Sequence, residues 1–225
     1  MPIQTPRTFS HFALYTFKDS YFVLSPTERA EFLQCWLKTL REAAHVEIYQ
    51  AASDADLLVW SAIPIDDTAQ AAQFFAQSTA AAKISRTHLQ PGATLWGFTR
   101  PSQYTKSASS QEMDPFAETR KQYLVVYPFT KTTEWYLMSR EARQGMMNEH
   151  IRIGKQYEEI NQLLLYSFGL QNQEFVVVYE MDDLTRFSDL VNELRDTEGR
   201  RYTLRDTPLH SAIYHPAEET LALWK

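Results

Sequence analysis

Ser25-Pro26-Thr27-Glu28-Arg29-Ala30-Glu31-Phe32-Leu33-Gln34-Cys35-Trp36-Leu37-Lys38-Thr39-Leu40 reads as the start of an amphipathic helix. Ser25 can accept from free backbone N–H groups, Pro26 lacks only a donor that would have no partner there, and Glu28 completes a capping box. Phe32, Leu33, Trp36, Leu37 and Leu40 recur at helical spacing and predict one buried face. Upstream, residues 9–17 alternate aromatic and polar side chains with the period of a half-buried strand. Downstream lie two strand candidates, 45–50 and 56–65, the second carrying Leu57, Leu58, Val59 and Trp60. Asp66 or Asp67 can cap an alanine-rich helix that runs to about Ala82, and residues 94–99 close the half as a strand.

The same order then recurs. Residues 100–110 are polar and without periodicity, which predicts a connection between two halves. Beyond it come a strand at 123–129, a helix at 139–156, strands at 163–170 and 174–180, and a helix at 183–194. A last strand comes from 200–206 or from the region of Tyr214. Each half is β-α-β-β-α-β, a ferredoxin-like unit. The expectation is an α+β fold of tandem ferredoxin-like repeats forming a pseudo-dimeric α/β barrel with helices outside. Its boundaries are an N-terminal domain at 1–105, a linker at 106–120 and a C-terminal domain at 121–225.

Composition narrows the function. The chain has 225 residues, 44% hydrophobic and 22% charged, enough apolar content for a core, and a net charge of −6 that argues against a nucleic-acid surface. One cysteine, Cys35, excludes an intrachain disulfide, and its place beside Trp36 and Leu37 predicts a small buried hydrophobe. No apolar run approaches membrane-span length, and Met1-Pro2-Ile3-Gln4-Thr5-Pro6-Arg7 lacks a signal-peptide core, so a soluble, cytoplasmic protein is expected. Neither a P-loop nor a Gly-x-Gly-x-x-Gly run is present, nor a Gly-x-Ser-x-Gly elbow, nor paired metal-ligand histidines among His11, His45, His88, His150, His210 and His215.

Two residues invite chemistry. His150 shares a helix face with Met146, Met147, Ile151 and Gly154 rather than with Arg140, Glu141, Arg143 and Glu149. A titratable ring on an apolar face is either a core histidine bonded to backbone or an axial ligand of a haem iron. Tyr127, in Tyr127-Pro128-Phe129-Thr130-Lys131, is either an amphipathic tyrosine at a barrel mouth or a redox or acid–base phenol with Lys131 as anion anchor.

Taken together, Arg100-Pro101-Ser102-Gln103-Tyr104-Thr105, Tyr127-Pro128-Phe129-Thr130-Lys131, Glu134-Trp135-Tyr136-Leu137, Met147-Asn148-Glu149-His150 and Tyr166-Ser167-Phe168-Gly169-Leu170 resemble the chlorite dismutase superfamily. Glu174-Phe175-Val176-Val177 and 201–208 extend the resemblance, which is nearest to the coproheme decarboxylase branch. It implies haem b or coproheme as bound group, a tandem ferredoxin-like fold and a ring-shaped homopentamer. His150 matches the proximal iron ligand, Tyr127 the tyrosine that abstracts hydrogen from a propionate, and Lys131 a lysine beside that propionate, while Trp135 lines the pocket. The distal position, an arginine in chlorite-degrading members, falls on Gln162 counting back from Ser167 and on Leu163 counting forward from His150. Arg120 or Lys121 is the candidate for a further propionate anchor, Thr207 for a propionate-binding hydroxyl, and Glu198 for an acid behind His150.

The activity so implied is hydrogen-peroxide-dependent oxidative decarboxylation of iron-coproporphyrin III (coproheme) to haem b. The alternatives are a haem protein with peroxidase or chlorite-degrading activity, and a non-enzymatic oligomer that carries haem.

Overall fold

In a computed structural model of the chain, residues 7–52, 54–105 and 109–225 are described. The expectations placed on residues 1–6 and on Lys106, Ser107 and Ala108 lie outside them. The first repeat comprises β1 (Arg7–Phe17), a short α1 (Asp19–Phe22), α2 (Pro26–Ala43), β2 (His45–Ala51), β3 (Leu57–Ile65), α3 (Gln70–Ser85) and β4 (Leu89–Phe98). The second comprises β5 (Tyr123–Lys131), α4 (Thr133–Leu137), α5 (Arg140–Gly154), β6 (Asn161–Tyr166), β7 (Phe175–Met181), α6 (Leu184–Arg195) and β9 (His210–Tyr214). A 3-10 turn (Glu198–Tyr202) and the three-residue β8 (Thr203–Arg205) precede β9, and α7 (Ala217–Ala222) follows it.

The local chemistry sets the helix starts. Ser25 accepts from the Glu28 N–H while the Glu28 carboxylate accepts from the Ser25 N–H, the reciprocal capping box. Ser139 caps α5 and Asp183 caps α6, whereas the Asp67 carboxylate takes the N–H groups of Ala69 and Gln70 at the start of α3. Leu33, Trp36, Leu37 and Leu40 form the buried face of α2. Cys35 departs from expectation: it is exposed, because that stripe turns its position outward.

Every strand pairing is antiparallel, in the order β4-β1-β3-β2 for the first repeat and β9-β5-β7-β6 for the second. The strand order is therefore the same in both. The repeats join through β2–β9, with Tyr49↔Tyr214, Gln50↔Ile213 and Ala51↔Ala212, and through β4–β6, with Phe98↔Tyr166 alone. Pairing that leaves β5 through β9 thus returns to it through β7, and β8 hangs on β5 outside that circuit. All eight strands of the circuit send side chains into one core, among them Phe12, Tyr49, Trp60, Leu95, Val126, Leu163, Val178 and Ala212. Helices α2, α3 and α7 cover the outer face of the first repeat, and α5 and α6 accompany that of the second.

The thin β4–β6 seam requires a glycine. A Cβ at Gly97 would lie 2.6 Å from Ser167 Oγ and 2.7 Å from the Tyr166 carbonyl oxygen. The connection between the repeats completes the remaining edge of β6. Gln162 exchanges backbone hydrogen bonds with Gln111 and Met113, and the Gln111 side chain donates to the carbonyls of Tyr157 and Ile160. Among the described residues no helix is long and apolar enough to cross a membrane.

Candidate functional site

On the outer face of the second repeat, strand alternation lines up two rows across β5, β7 and β6. One is Tyr127, Val177 and Leu164; the other is Val125, Tyr179 and Gln162. Helix α5 lies over this face but buries only Ile153 completely. Leu164, in the middle of β6, keeps 43% of its surface exposed, while its neighbours Leu163 and Leu165 keep 3% and 0%. A mid-sheet leucine so exposed means that side chains of α5 do not fill the space above it. The result is an open apolar stretch of the sheet face beside α5, the candidate cleft.

His150 stands on the half-buried stripe of α5 at this cleft. Burial, and then the nearby Lys131 ammonium, lower its pKa to about 4, so the ring is neutral at pH 7. It makes no hydrogen bond among the described residues, unlike a core histidine tied to backbone. Lys131 donates from Nζ to the Gly199 carbonyl at 3.1 Å and lies 4.3 Å over the Trp135 ring and 5.1 Å over Phe129. Its ammonium thus lies against both rings at the end of β5. Burial, with Arg200 nearby, brings the Lys131 pKa down to about 8.

Trp135 is buried on α4, which Glu174 fastens in place: one carboxylate oxygen accepts from the Lys131 N–H at 2.8 Å and from the Tyr136 hydroxyl at 2.5 Å. Tyr127 stacks on Tyr179 with centroids 6.4 Å apart, and burial pushes its phenol well above its ordinary pKa. Asp206 lies near that phenol and pairs with Arg200 at 2.5 Å and Arg195 at 3.9 Å.

The structure thus groups Lys131, Trp135 and His150, with Tyr127 and Gln162 on the outer face of the adjoining sheet. Other expected residues lie elsewhere. Leu163 belongs to the inner core, because adjacent strand residues point to opposite faces; the cleft-facing leucine is Leu164. Arg120 is inside the strand circuit, 3.6 Å from Glu180, 4.6 Å over the Trp60 ring and bonded to the carbonyls of Asp114 and Pro115. Lys121 pairs with Asp182 beyond the opposite end of β5 from Lys131. Glu198 turns its carboxylate to Arg201 and gives only its backbone N–H to Glu149, so the acid next to His150 is Glu149. Thr207 is exposed, before a cis Pro208.

Arg143 also moves: it precedes His150 by seven residues, two helical turns, and shares its half-buried stripe rather than the charged face. That period was readable in the sequence. Arg195, Arg200 and Asp206 carry no local signal, because the fold alone brings their elements to Tyr127.

The chlorite dismutase family model matches residues 26–214. A coproheme decarboxylase of Mycolicibacterium smegmatis is 29% identical over 171 residues, 76% of this chain and 71% of that protein. A variant chlorite dismutase from Candidatus Nitrospira defluvii superposes with a TM-score of 0.81 at 22% identity, covering 96% of this chain and 95% of that one. Another variant of it, in complex with cyanide, gives 0.82 at 21% identity, covering 96% and 94%. With a family model spanning most of its length and a fold to match, the chain belongs to the chlorite dismutase family.

Proposed function

We propose that the chain binds an iron porphyrin between α5 and the outer face of β5, β7 and β6, and decarboxylates iron-coproporphyrin III to haem b with hydrogen peroxide. One observation carries the reading. A neutral imidazole without a hydrogen-bond partner among the described residues faces a cleft floored by a half-exposed leucine and edged by a phenol and an ammonium. A flat apolar macrocycle with an iron centre and anionic edges fits that set of groups. The similarity to a coproheme decarboxylase supports the same direction. The closed circuit of strands is read as a barrel, and the homopentamer implied by the family belongs to the proposal; the mass of the protein in solution checks it.

When bound, the iron porphyrin supplies the one-electron chemistry, with peroxide as oxidant. His150 holds the iron through a nitrogen lone pair that burial keeps free of a proton. Lys131, four residues beyond Tyr127 on β5, holds a propionate by charge so that the propionate side chain can reach the phenol. Tyr127 passes an oxidising equivalent to the propionate by taking a hydrogen atom from its side chain. Loss of carbon dioxide and a further electron leaves a vinyl group. Overall, each propionic acid group that reacts and one hydrogen peroxide become a vinyl, carbon dioxide and two waters, and the other propionates are kept. Gln162 offers a neutral amide where chlorite-degrading relatives have an arginine, and no arginine lies between Arg152 and Arg186 to hold an oxychlorine anion.

Purified protein given iron-coproporphyrin and peroxide is expected to convert it in successive steps of mass loss. Tyr127→Phe should bind the substrate and leave it unconverted; retained turnover would remove Tyr127 from the mechanism. Rapid oxygen release from chlorite, with coproheme unchanged, would favour the second reading, a chlorite-degrading or peroxidase protein, to which the resemblance to chlorite dismutase structures lends weight. Porphyrin binding with neither activity would leave the non-enzymatic carrier.

A further inference from the structure

We propose that Arg143 is a second carboxylate anchor of the cleft, so that the site selects porphyrins bearing carboxylates beyond the edge served by Lys131. The inference rests on the iron-porphyrin reading above. Arg143 stands on the stripe 143, 147, 150, 154 of α5, roughly 10 Å before His150 along the axis. Its Nε is buried without a partner, and its guanidinium forms no ion pair among the described residues. Arg120, Arg195 and Arg200 each face a carboxylate, so Arg143 is the half-buried exception on this repeat.

The groups around Arg143 are phenols. Its charge pulls down the pKa values of Tyr104 and Tyr136, which burial raises. Tyr136 is committed to Glu174, whereas the Tyr104 hydroxyl has no hydrogen-bond partner among the described residues. Arg143 thus lies within electrostatic reach of a phenol that has no hydrogen-bond partner, and its buried Nε has none either among the described residues. Leaving a half-buried cation unpaired is costly, and a carboxylate held by two parallel N–H groups is the ligand whose geometry matches the guanidinium fork. Such an anchor, apart from the reacting edge, would keep the macrocycle in register while the carboxylate at Tyr127 reacts.

The test titrates wild type and Arg143→Gln with iron-coproporphyrin III and with its tetramethyl ester, which has the same macrocycle and no carboxylates, following absorbance at low and high salt. Arg143→Gln is expected to weaken the acid about tenfold or more at low salt, flatten its salt dependence, and leave the ester within about twofold. Unchanged affinity for the acid, or equal losses for acid and ester, would overturn the proposal. If wild type binds neither porphyrin, the iron-porphyrin reading itself fails, and this inference with it. If circular dichroism shows the glutamine variant unfolded, Arg143→Lys decides: it keeps the charge but not the fork, should weaken the acid about threefold, and would overturn the inference by binding it as wild type does.

Discussion

Leu163 and Leu164 are adjacent, chemically identical and on opposite faces of β6, so truncating each in turn measures the emptiness of the cleft. Leu163 is 3% exposed within the inner core, and replacing it with alanine removes buried methyl groups from packed surroundings. Such losses cost about 3 kcal/mol, the transfer term plus the void left behind. Leu164 keeps 43% of its surface in solvent, so its truncation gives up little more than half of the transfer term and creates no enclosed void. The expected cost is about 1 kcal/mol. For a chain of this size these losses correspond to a melting point lowered by roughly 6–12 °C for Leu163→Ala and by under roughly 4 °C for Leu164→Ala. Thermal melts of the porphyrin-free protein, followed by circular dichroism, give both numbers. In the presence of coproheme the order should invert for binding, with Leu164→Ala weakening affinity more. Equal destabilisation by the two substitutions would mean that α5 already fills the space over β6, and the cleft would be withdrawn.

Two glycines and one buried acid give further expectations. Gly97→Ala should lower the melting point by roughly 2–10 °C, because the new methyl meets the Tyr166 carbonyl at the one registered pair joining β4 and β6. Gly145→Ala, on α5 with nothing within 4 Å, should instead raise stability by about 0.5–1 kcal/mol; the opposite pattern would misplace the seam. Burial raises the Glu180 pKa to about 7, against the pull of Arg120. A raised carboxyl stabilises the fold below its unfolded value and loses that contribution as pH rises through about 7, so wild type should lose stability between about pH 4.5 and 7. Glu180→Gln should flatten that slope in denaturant titrations; an unaltered slope would show that Glu180 titrates normally.

Much of the fold was written in local pattern. The capping box at Ser25, the cap at Asp67 and the alternation at the start of the chain act within a few residues, where sequence and geometry are directly tied. The first half of β4 was not legible, because Pro91 lacks a donor and Gly92 a side chain, and the paired strand shifts register between Ala13 and Tyr15. Strand 163–170 ends early, at Tyr166, since Gly169 turns the chain at φ +71°. Of the candidate site, His150 carried its own signal in its helix face, whereas Tyr127 and Lys131 stood out only through the motif they share on β5. Leu163 was misjudged because a count along the chain slips by one, and in a strand one residue reverses the face. Arg120 shows a deeper limit. Only the closed circuit of strands reveals that its charge is spent inside the core on Glu180 and Trp60.

The central claim is that the His150 imidazole ligates a porphyrin iron. Optical titration of the purified protein with ferric coproheme, beside His150→Ala, tests it most directly. Wild type should give a saturable shift of the Soret band that persists until the pH falls toward about 4, where the free ring takes up a proton, and His150→Ala should lack that spectrum. The same Soret band in both proteins, or none in either, would contradict it.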